Sequence, residues 1–469
     1  MKNCCYVLFA LMAVVCNAQN KQVLYGLKET PQSVLLNPGI EVPQKVHFGI
    51  PFLSQIHVNA GSSGVTVFDI FGASDLDINQ RIRSKIFELS DKDFFTATQQ
   101  LELFNIGWRS KGDIYFSGGI YQELDFISYF PRDLAILAWE GNRDYLDYPF
   151  DLGQLSVTAD LTTVYHFGVN KQLANRLTVG VRGKVYSNML NISSTNNTGT
   201  FTTSLDTDGV NIYDHTVTDA NVTVQTSGVA SLEEKNGAGE VAGSVLGRAF
   251  FGGNLGVGID IGATYHVSDR ITATASVLDI GAVFHTKDVE TYNAEGSYTL
   301  NGIELIFPPL NQGEATIPYF GNLEDEIEEE IPIDTLTSGY TRWRPLKVNA
   351  SAEYGFGNIF GGGECDCRNP GASQTWQQAV GVQYYAIARP KGPQMAGTIY
   401  YRRTFTEGLS AKATYTVDSF SASNVGLGVV ANVGKLNMFL AADNLLTYGN
   451  IAKAKSVSLQ LGFNIIIDE

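Results

Sequence analysis

The chain has 469 residues, of which 48 are acidic and 32 basic, and its formal net charge is −16. This acidic balance argues against nucleic-acid binding, because that function needs a basic face. Charged residues make up only 17% of the chain, whereas glycine (48 residues), phenylalanine (26) and tyrosine (22) are plentiful. Both a soluble secreted protein and an outer-membrane protein have such a composition, so the residue pattern must distinguish them.

Residues 1–18 are predicted to be a secretory signal peptide. Lys2 supplies a positive start, residues 6–15 form an apolar run of ten, and Cys16 and Ala18 are the small residues before a cleavage site. Lipidation at Cys16 is the alternative, but the valine before it is unfavourable for that modification. The apolar run is too short to span a bilayer, and no later stretch approaches about 18 consecutive apolar residues.

Residues 19–44 carry apolar side chains without the pattern of a strand. Val23, Leu24, Leu35 and Ile40 are among them. Leaving such side chains in water is unfavourable by about 25 cal/mol for each Å² of apolar surface. We therefore expect this segment to pack inside the rest of the fold as a hatch or plug, and a disordered leader is the alternative.

The remaining chain, residues 45–469, alternates between apolar and polar positions. In residues 346–356 (LKVNASAEYGF), one face is apolar and the other carries Lys, Asn, Ser and Glu; residues 176–186 and 255–267 repeat the pattern. Period two indicates strands. The runs last about 10–14 residues, which matches membrane-spanning strands better than the 5–6 residues usual in soluble sheets. An apolar face opposite a charged face is typical of an outer-membrane barrel.

We predict an all-β fold, a transmembrane antiparallel β-barrel of about 14 strands with an N-terminal lumen plug and long extracellular loops. The predicted strands are 45–60, 99–110, 113–126, 153–168, 175–190, 255–267, 271–285, 345–357, 376–389, 394–405, 409–418, 423–433, 436–446 and 456–467. With both termini in the periplasm, short inner turns alternate with long outer connections. The extracellular insertions are 61–98, 127–152, 191–254 and 286–344. A soluble sandwich or adhesin is the alternative.

Two outer insertions carry local signals. Residues 130–142 are predicted to form a short helix, with Pro131 near its start and Gly141 after its end. Residues 324–330 (EDEIEEE) pack six acids into seven positions. They could form a divalent-cation site near the lipopolysaccharide surface or a solvated face, and a charge run of this kind favours the solvated face.

The residues offer no motif for catalysis or metal binding. The chain has six histidines, and no pair has metal-ligand spacing. His166 and His266 face the predicted lumen, where polar packing is their simplest role. An outer-membrane hydrolase would need serine, histidine and an orienting polar residue close together, and no motif indicates this. We therefore expect a non-enzymatic protein with no cofactor and no metal.

Cys365 and Cys367 lie in the predicted inner turn 358–375, within the stretch GGGECDCRNPG. Paired cysteines in an oxidising periplasm tend to form disulfides, although a ring this small gains little loop entropy and is strained. A metal site is less favoured because two thiolates are half of a tetrahedral set. The interpretations that stay open are a simple turn staple and a redox-sensitive or docking loop.

Several stretches resemble a known family. TPQSVLLNPG (30–39), FPRDLAILAWEGN, LTVGVRGKVY and FLAADNLL occur in that order. The chain resembles a Bacteroidota family of outer-membrane barrels described as a domain of unknown function. More distantly, it is similar to fourteen-stranded long-chain fatty-acid transporter barrels, whose superfamily includes shuttle and accessory barrels of type IX secretion. Those transporters carry an Asn-Pro-Ala hatch motif, where this chain has Asn37, Pro38 and Gly39.

The resemblance implies a plugged lumen, and we assign the hatch to Leu35, Leu36, Asn37, Pro38 and Gly39. A fourteen-stranded barrel is wider than wall side chains alone can fill, which favours a plug independently. The predicted function is hatch-gated uptake of a small hydrophobic molecule across the outer membrane. The alternative is an accessory or anchoring barrel for secreted or surface proteins. The expected partners are outer-membrane lipid, a hydrophobic small molecule and a secreted or periplasmic protein.

Overall fold

The structure is a computed structural model that describes residues 21–206, 212–233, 235, 237–300, 329–360, 375–418 and 420–467. The strands of this part of the chain are β1 (Val46–Gly49), β2 (Ile56–Ser62), β3 (Phe94–Arg109), β4 (Ile114–Tyr129), β5 (Phe150–Asp151), β6 (Val157–Ala174), β7 (Leu177–Ser194), β8 (Thr198–Leu205), β9 (Tyr213–Ser227), β10 (Asn254–His266), β11 (Ile271–His285), β12 (Val289–Leu300), β13 (Ile333–Leu336), β14 (Tyr340–Trp343), β15 (Lys347–Phe360), β16 (Thr375–Ile387), β17 (Gln394–Thr406), β18 (Leu409–Val417), β19 (Asn424–Val433), β20 (Leu436–Asp443) and β21 (Ser456–Ile467).

These strands close into an antiparallel barrel. The last strand, β21, pairs with both β1 and β2, and β3 pairs with both on the other side, so β1 and β2 share one position in the wall. From there the ring runs through β3, β4, β6, β7, β10 and β11, and then through β15 to β21 in order. This gives fourteen wall positions among the described residues, and the predicted fold class is confirmed.

The prediction of one continuous strand over 45–60 was wrong, because the ladder stops between β1 and β2. Gly49 pairs with Asn464 and Ile56 pairs with Leu461. Between these two pairs the chain advances seven residues from β1 to β2, whereas β21 advances only three. Pro51 has no backbone N–H to donate, and Phe52 has a left-handed backbone with φ 63°. Residues 50–55 therefore leave the ladder as a bulge on the outside of the wall.

Alternation along each wall strand separates two surfaces. On β18, Ser410, Lys412 and Thr414 are buried and face inward, whereas Leu409 and Tyr415 face outward and are exposed. The other wall strands repeat this arrangement, which is the reverse of a soluble protein, where polar residues face water and apolar residues are buried. The barrel thus has a polar interior and an apolar outer wall.

The two ends of the barrel differ. One end has short connections, such as residues 110–113 and 434–435, and the other end has the long ones. At the long-connection end, β5, β8, β9, β12 and β13 pair in a sheet that extends beyond the ring. The helices Val67–Phe71, Ile78–Glu88, Arg132–Glu140 and Ala238–Gly247 lie in the same connections. No helix in the described ranges is long and apolar enough to cross a bilayer.

Candidate functional site

Residues 21–45, here called the N-terminal segment, lie inside the ring. They form turns and a short 3₁₀ helix, Pro31–Leu35, whose residues are all buried. Proline at the first position suits a helix start, because its fixed φ needs no adjustment and its missing N–H has no partner there. The wall side chains that bond to the segment come from around the ring: Gln100 (β3), Asn170 (β6), Arg182 (β7), Ser276 (β11), Gln383 (β16), Lys412 (β18), Asn437 (β20) and Asn464 (β21).

Many of these contacts are made to backbone carbonyls of the N-terminal segment. Asn170 Nδ2 donates to the carbonyls of Pro38 and Ile40, each at 2.7 Å. Arg182 donates to the carbonyls of Val34 (2.9 Å) and Leu35 (2.7 Å). A buried segment outside the sheet has no ladder partners for its carbonyls, so inward-facing side chains must supply the donors. The wall therefore holds the backbone path of the segment.

Lys412 makes a second anchor on the opposite part of the ring. Its Nζ donates to the carbonyls of Gln22 (3.1 Å) and Tyr25 (2.6 Å) and to Gln383 Oε1 (3.0 Å). Tyr25 also shares a hydrogen bond with Thr274 of β11 through its hydroxyl (2.8 Å). The start of the N-terminal segment is thus fixed between two distant strands.

Three glycines allow the predicted hatch residues to touch the wall. A Cβ on Gly180 would lie 1.9 Å from the Pro38 carbonyl oxygen, and one on Gly262 would lie 2.1 Å from Asn37 Oδ1. A Cβ on Gly39 would lie 2.2 Å from the Gly262 oxygen. Asn37 also accepts a hydrogen bond from the Gly39 N–H (2.9 Å). Backbone contact at this distance requires glycine on both sides.

The apolar residues of the N-terminal segment contact two apolar patches on the wall. Leu35 packs with inward-facing side chains on one side: Tyr121, Val164, Tyr186 and Val283. On the other side, Leu24, Leu27 and Leu36 pack against Val430 and Phe439. Together with the glycine contacts, this places all five predicted hatch residues, Leu35 to Gly39, against the wall.

Charged residues form a buried network beside the N-terminal segment. Arg182 donates through Nε to Asp260 (2.7 Å), and Lys184 bonds to Asp260 (2.9 Å) and Asp279 (2.6 Å). Lys347 continues the network to Asp279 (2.9 Å). Because Arg182 also donates to the carbonyls of Val34 and Leu35, it connects the charged network to the N-terminal segment.

Two groups of ion pairs cross the lumen. Glu123 on β4 bonds to Lys347 (2.8 Å) and Arg344 (2.9 Å), and Asp125 on β4 forms a two-pronged pair with Arg389 (2.7 and 2.9 Å). The strand β4 is third in the ring, whereas β15 and β16 are eighth and ninth. These pairs therefore join distant parts of the wall, on the side of the segment that faces the long connections.

A small polar cavity of about 30 Å³ lies between the N-terminal segment and the crossing ion pairs. Lys21, His57, Gln100, Glu123 and Arg389 are among its lining residues. The cavity has room for about two water molecules. Polar and charged side chains make up most of its lining.

A comparison with protein families identifies the chain's relatives. A family model described as a family of unknown function, DUF5723, matches residues 38–443. The chain belongs to this family. The resemblance to a family of unknown function is thereby confirmed, whereas the Bacteroidota origin and the link to type IX secretion stay predictions. No curated protein sequence matches the chain.

Solved structures with a similar course of the chain are other barrels. The toluene transporter TodX of Pseudomonas putida has 10% identity over 92% of this chain and 91% of its own, with a TM-score of 0.36. A FadL homologue of Pseudomonas aeruginosa has 10% identity over 96% of both chains and a TM-score of 0.39. The translocator domain of the autotransporter NalP from Neisseria meningitidis has 7% identity, 90% and 88% coverage, and a TM-score of 0.31. Such distant likenesses decide nothing about what this DUF5723 chain binds.

The remaining predicted residues have varied positions. Cys365 and Cys367 lie outside the described residues, so their disulfide stays a prediction. Most of the acidic run 324–330 also lies outside them, so its role stays a prediction too. His166 is buried on the inward face of β6, next to Tyr121. His266 shares hydrogen bonds with Glu41 and Thr272. Sequence reasoning missed the crossing ion pairs, although the acids at alternate positions of β4, Glu123 and Asp125, were a signal of them.

Burial lowers the pKa of Lys21 to about 7, and its ammonium group contacts Gln100. When the segment leaves the lumen, this pKa should return to about 10.4. The displaced state then binds more protons between these two values, so docking should strengthen as pH rises above 7, by at most about tenfold per unit. We expect uptake of the hydrophobic dye N-phenylnaphthylamine by producing cells to fall from pH 7 to 9. The variant Lys21→Met should show no such trend, and an equal trend in both proteins would refute this role of Lys21.

Proposed function

We propose that this protein is a non-enzymatic outer-membrane barrel that admits a small hydrophobic molecule when its N-terminal segment moves. A membrane location is supported by the apolar outer wall, on which residues such as Val257, Ile399 and Leu440 are exposed. Exposing so much apolar surface to water would be unfavourable, whereas lipid accommodates it.

The observation that carries the proposal is that the wall closes without the N-terminal segment. Strand β21 pairs directly with β1 and β2, so the ring closes without a strand from residues 21–44; Lys45, next to β1, accepts one backbone hydrogen bond from the Arg109 N–H (2.7 Å). The segment is held by side chains instead, and each such bond contributes about 0.5–1.5 kcal/mol net. It can therefore leave its position while the barrel stays assembled.

The preference for a hydrophobic molecule is supported by what the N-terminal segment covers. Its departure would uncover the patch around Tyr121, Val164 and Val283 on one side and the patch of Val430 and Phe439 on the other. Most of the other inward residues are polar, apart from side chains such as Tyr115 beside the segment and Phe94, Ile127 and Tyr129 toward the long connections. An apolar molecule in the lumen would therefore gain most by replacing the leucines of the segment on these patches.

A reversible lock tests the proposal. A Cβ on Gly428 would lie 2.5 Å from Val23 Cγ1, which brings the two β-carbons into the range that a disulfide needs. The double variant Val23→Cys/Gly428→Cys should lose N-phenylnaphthylamine uptake when oxidised and regain it on reduction. Val23→Cys alone should behave like the parent protein, and uptake by Gly428→Cys alone should not respond to reduction. Equal uptake in the locked and the reduced states would rule out a gate formed by this segment.

An accessory role in secretion or anchoring is the second candidate. It is favoured by the extended sheet of β5, β8, β9, β12 and β13, which serves no purpose in closing the ring. Under this proposal the sheet binds a secreted partner protein. Excision of residues 191–254 should then leave an assembled barrel that no longer copurifies with a partner. Recovery of no partner from native membranes would contradict it.

A further inference from the structure

One stretch of the insertion 191–254 folds back onto the outside of the barrel. It comprises the helix Ala238–Gly247 and the residues that follow, up to Phe251. Tyr165, on the outward face of β6, donates to the Ala249 carbonyl (3.0 Å) and stacks on the Phe251 ring at 4.3 Å between centroids. Residues 237–251, here called the folded-back stretch, therefore lie beside the wall rather than above it.

The folded-back stretch covers β7 where the apolar part of that strand ends. Val185, on the outward face, is 38% exposed, whereas the next two outward residues, Ser187 and Met189, are 0% and 2% exposed. Ser187 donates through its hydroxyl to the Arg248 carbonyl (2.8 Å). The cover thus begins directly above the apolar band.

The side of the stretch that faces away from the barrel is also apolar. Leu246 and Phe250 are 59% and 65% exposed, and Phe251, although one face of its ring stacks on Tyr165, is still 51% exposed. Residues 237–251 contain one acid, Glu240, and one base, Arg248, which donates to Met189 and Asp288 instead of pointing into solvent. A helix that faces water carries several charged residues on that side, whereas the exposed side of this one carries only Glu240, in its first turn.

The height of the stretch matches a membrane surface. The outward residues of β7 are apolar or glycine from Leu177 to Val185. Nine residues at about 3.3 Å each, tilted by about 45°, rise roughly 20 Å, close to the apolar band of about 25 Å on outer-membrane barrels. On the neighbouring strand β10, the outward-facing residues Leu255 and Val257 are both exposed, so the apolar band continues onto that strand. The stretch lies at the upper rim of this band.

We propose that the folded-back stretch is an interfacial anchor that inserts into the outer leaflet of the membrane. This inference rests on the membrane location in the proposed function. The occupant of its apolar side is lipid, because that side is continuous with the lipid-facing wall and its residues from Val241 to Gly247 carry no charge. Interfacial helices of this kind bury an apolar face about 5–10 Å into the boundary between headgroups and acyl chains.

Nitroxide labels test the anchor in the full chain. Starting from a Cys365→Ser/Cys367→Ser background, single labels are placed by Phe250→Cys, Val257→Cys and Leu205→Cys, and the barrel is reconstituted in phosphatidylcholine vesicles. Collisions with oxygen and with a water-soluble nickel complex are measured by power saturation. The label at 250 should collide mainly with oxygen, like the wall label at 257, and the label on the exposed end of β8 at 205 should collide mainly with nickel.

The other outcomes overturn the inference in distinguishable ways. If the label at 250 collides mainly with nickel while the label at 257 does not, the stretch lies in water and only the anchor fails. If the label at 250 is shielded from both reagents, a second copy or another protein covers the stretch. If the label at 257 collides mainly with nickel, the wall itself does not face lipid, and the proposed function fails with the anchor.

Discussion

Replacing Gly180 with valine should release the N-terminal segment while leaving the barrel assembled. A Cβ at this position would lie 1.9 Å from the Pro38 carbonyl oxygen, so Pro38 must move away from the wall. Asn170 then loses its bonds to Pro38 and Ile40. Two such bonds contribute about 1–3 kcal/mol, which raises the displaced population roughly 5- to 150-fold. Valine itself suits a strand, so the ladder of β7 should persist.

Hydrogen exchange of peptides from residues 21–45 measures this release, and dye uptake measures its consequence. Deletion of residues 23–40 sets the upper limit for uptake. The matched control is Gly183→Val on the same strand, because a Cβ there faces outward and has only the Phe167 carbonyl near it, at 4.0 Å. If exchange is faster in the Gly180 variant but uptake is unchanged, release of the segment is not what controls transport. If exchange is unchanged, the contact between Gly180 and Pro38 does not hold the segment.

The sequence predicted the wall well because its signal is local. Each wall strand alternates with period two, and residues that face lipid must be apolar wherever they lie. The predicted ends were less accurate where strands continue past the apolar band. Thus β3 begins at Phe94 rather than at 99, and β6 ends at Ala174 rather than at 168. Outside the band the outward residues include Thr and Lys, so the amphipathic signal fades while the ladder continues.

The sequence predicted that apolar residues of the N-terminal segment are buried, but not which wall residues they contact. Leu35 and Ile40 had to be buried because nothing else would cover them, and Asn37 to Gly39 gave a plausible point of contact. The partners Gly180 and Gly262 depend on strand register, which pattern alone does not supply. The pairing of Glu123 with Lys347 depends further on which side chains meet across the lumen, because β4 and β15 are five places apart in the ring.

The second large effect is expected from Asp260→Ala. This carboxylate is fully buried and bonds to Arg182 (2.7 Å), to Lys184 (2.9 Å) and to the Asp279 N–H (2.6 Å). Its removal leaves buried cations with too few carboxylates, which typically lowers the free energy of unfolding by about 3–5 kcal/mol. The heat-induced mobility shift on gels should therefore occur at a lower temperature. Asp269→Ala, in an exposed turn, should change stability by less than about 0.5 kcal/mol.

A double variant separates the two roles of Arg182. In Asp260→Ala/Arg182→Met the unpaired cation is gone, so much of the lost barrel stability should return. The carbonyls of Val34 and Leu35 lose their donor, however, so residues 21–45 should exchange faster than in Asp260→Ala, where Arg182 is still present. Recovered stability with no faster exchange would show that Arg182 serves only the charge network. Recovered stability together with faster exchange would show that one buried arginine connects the wall to a movable segment, because charge balance and docking would then both depend on this side chain.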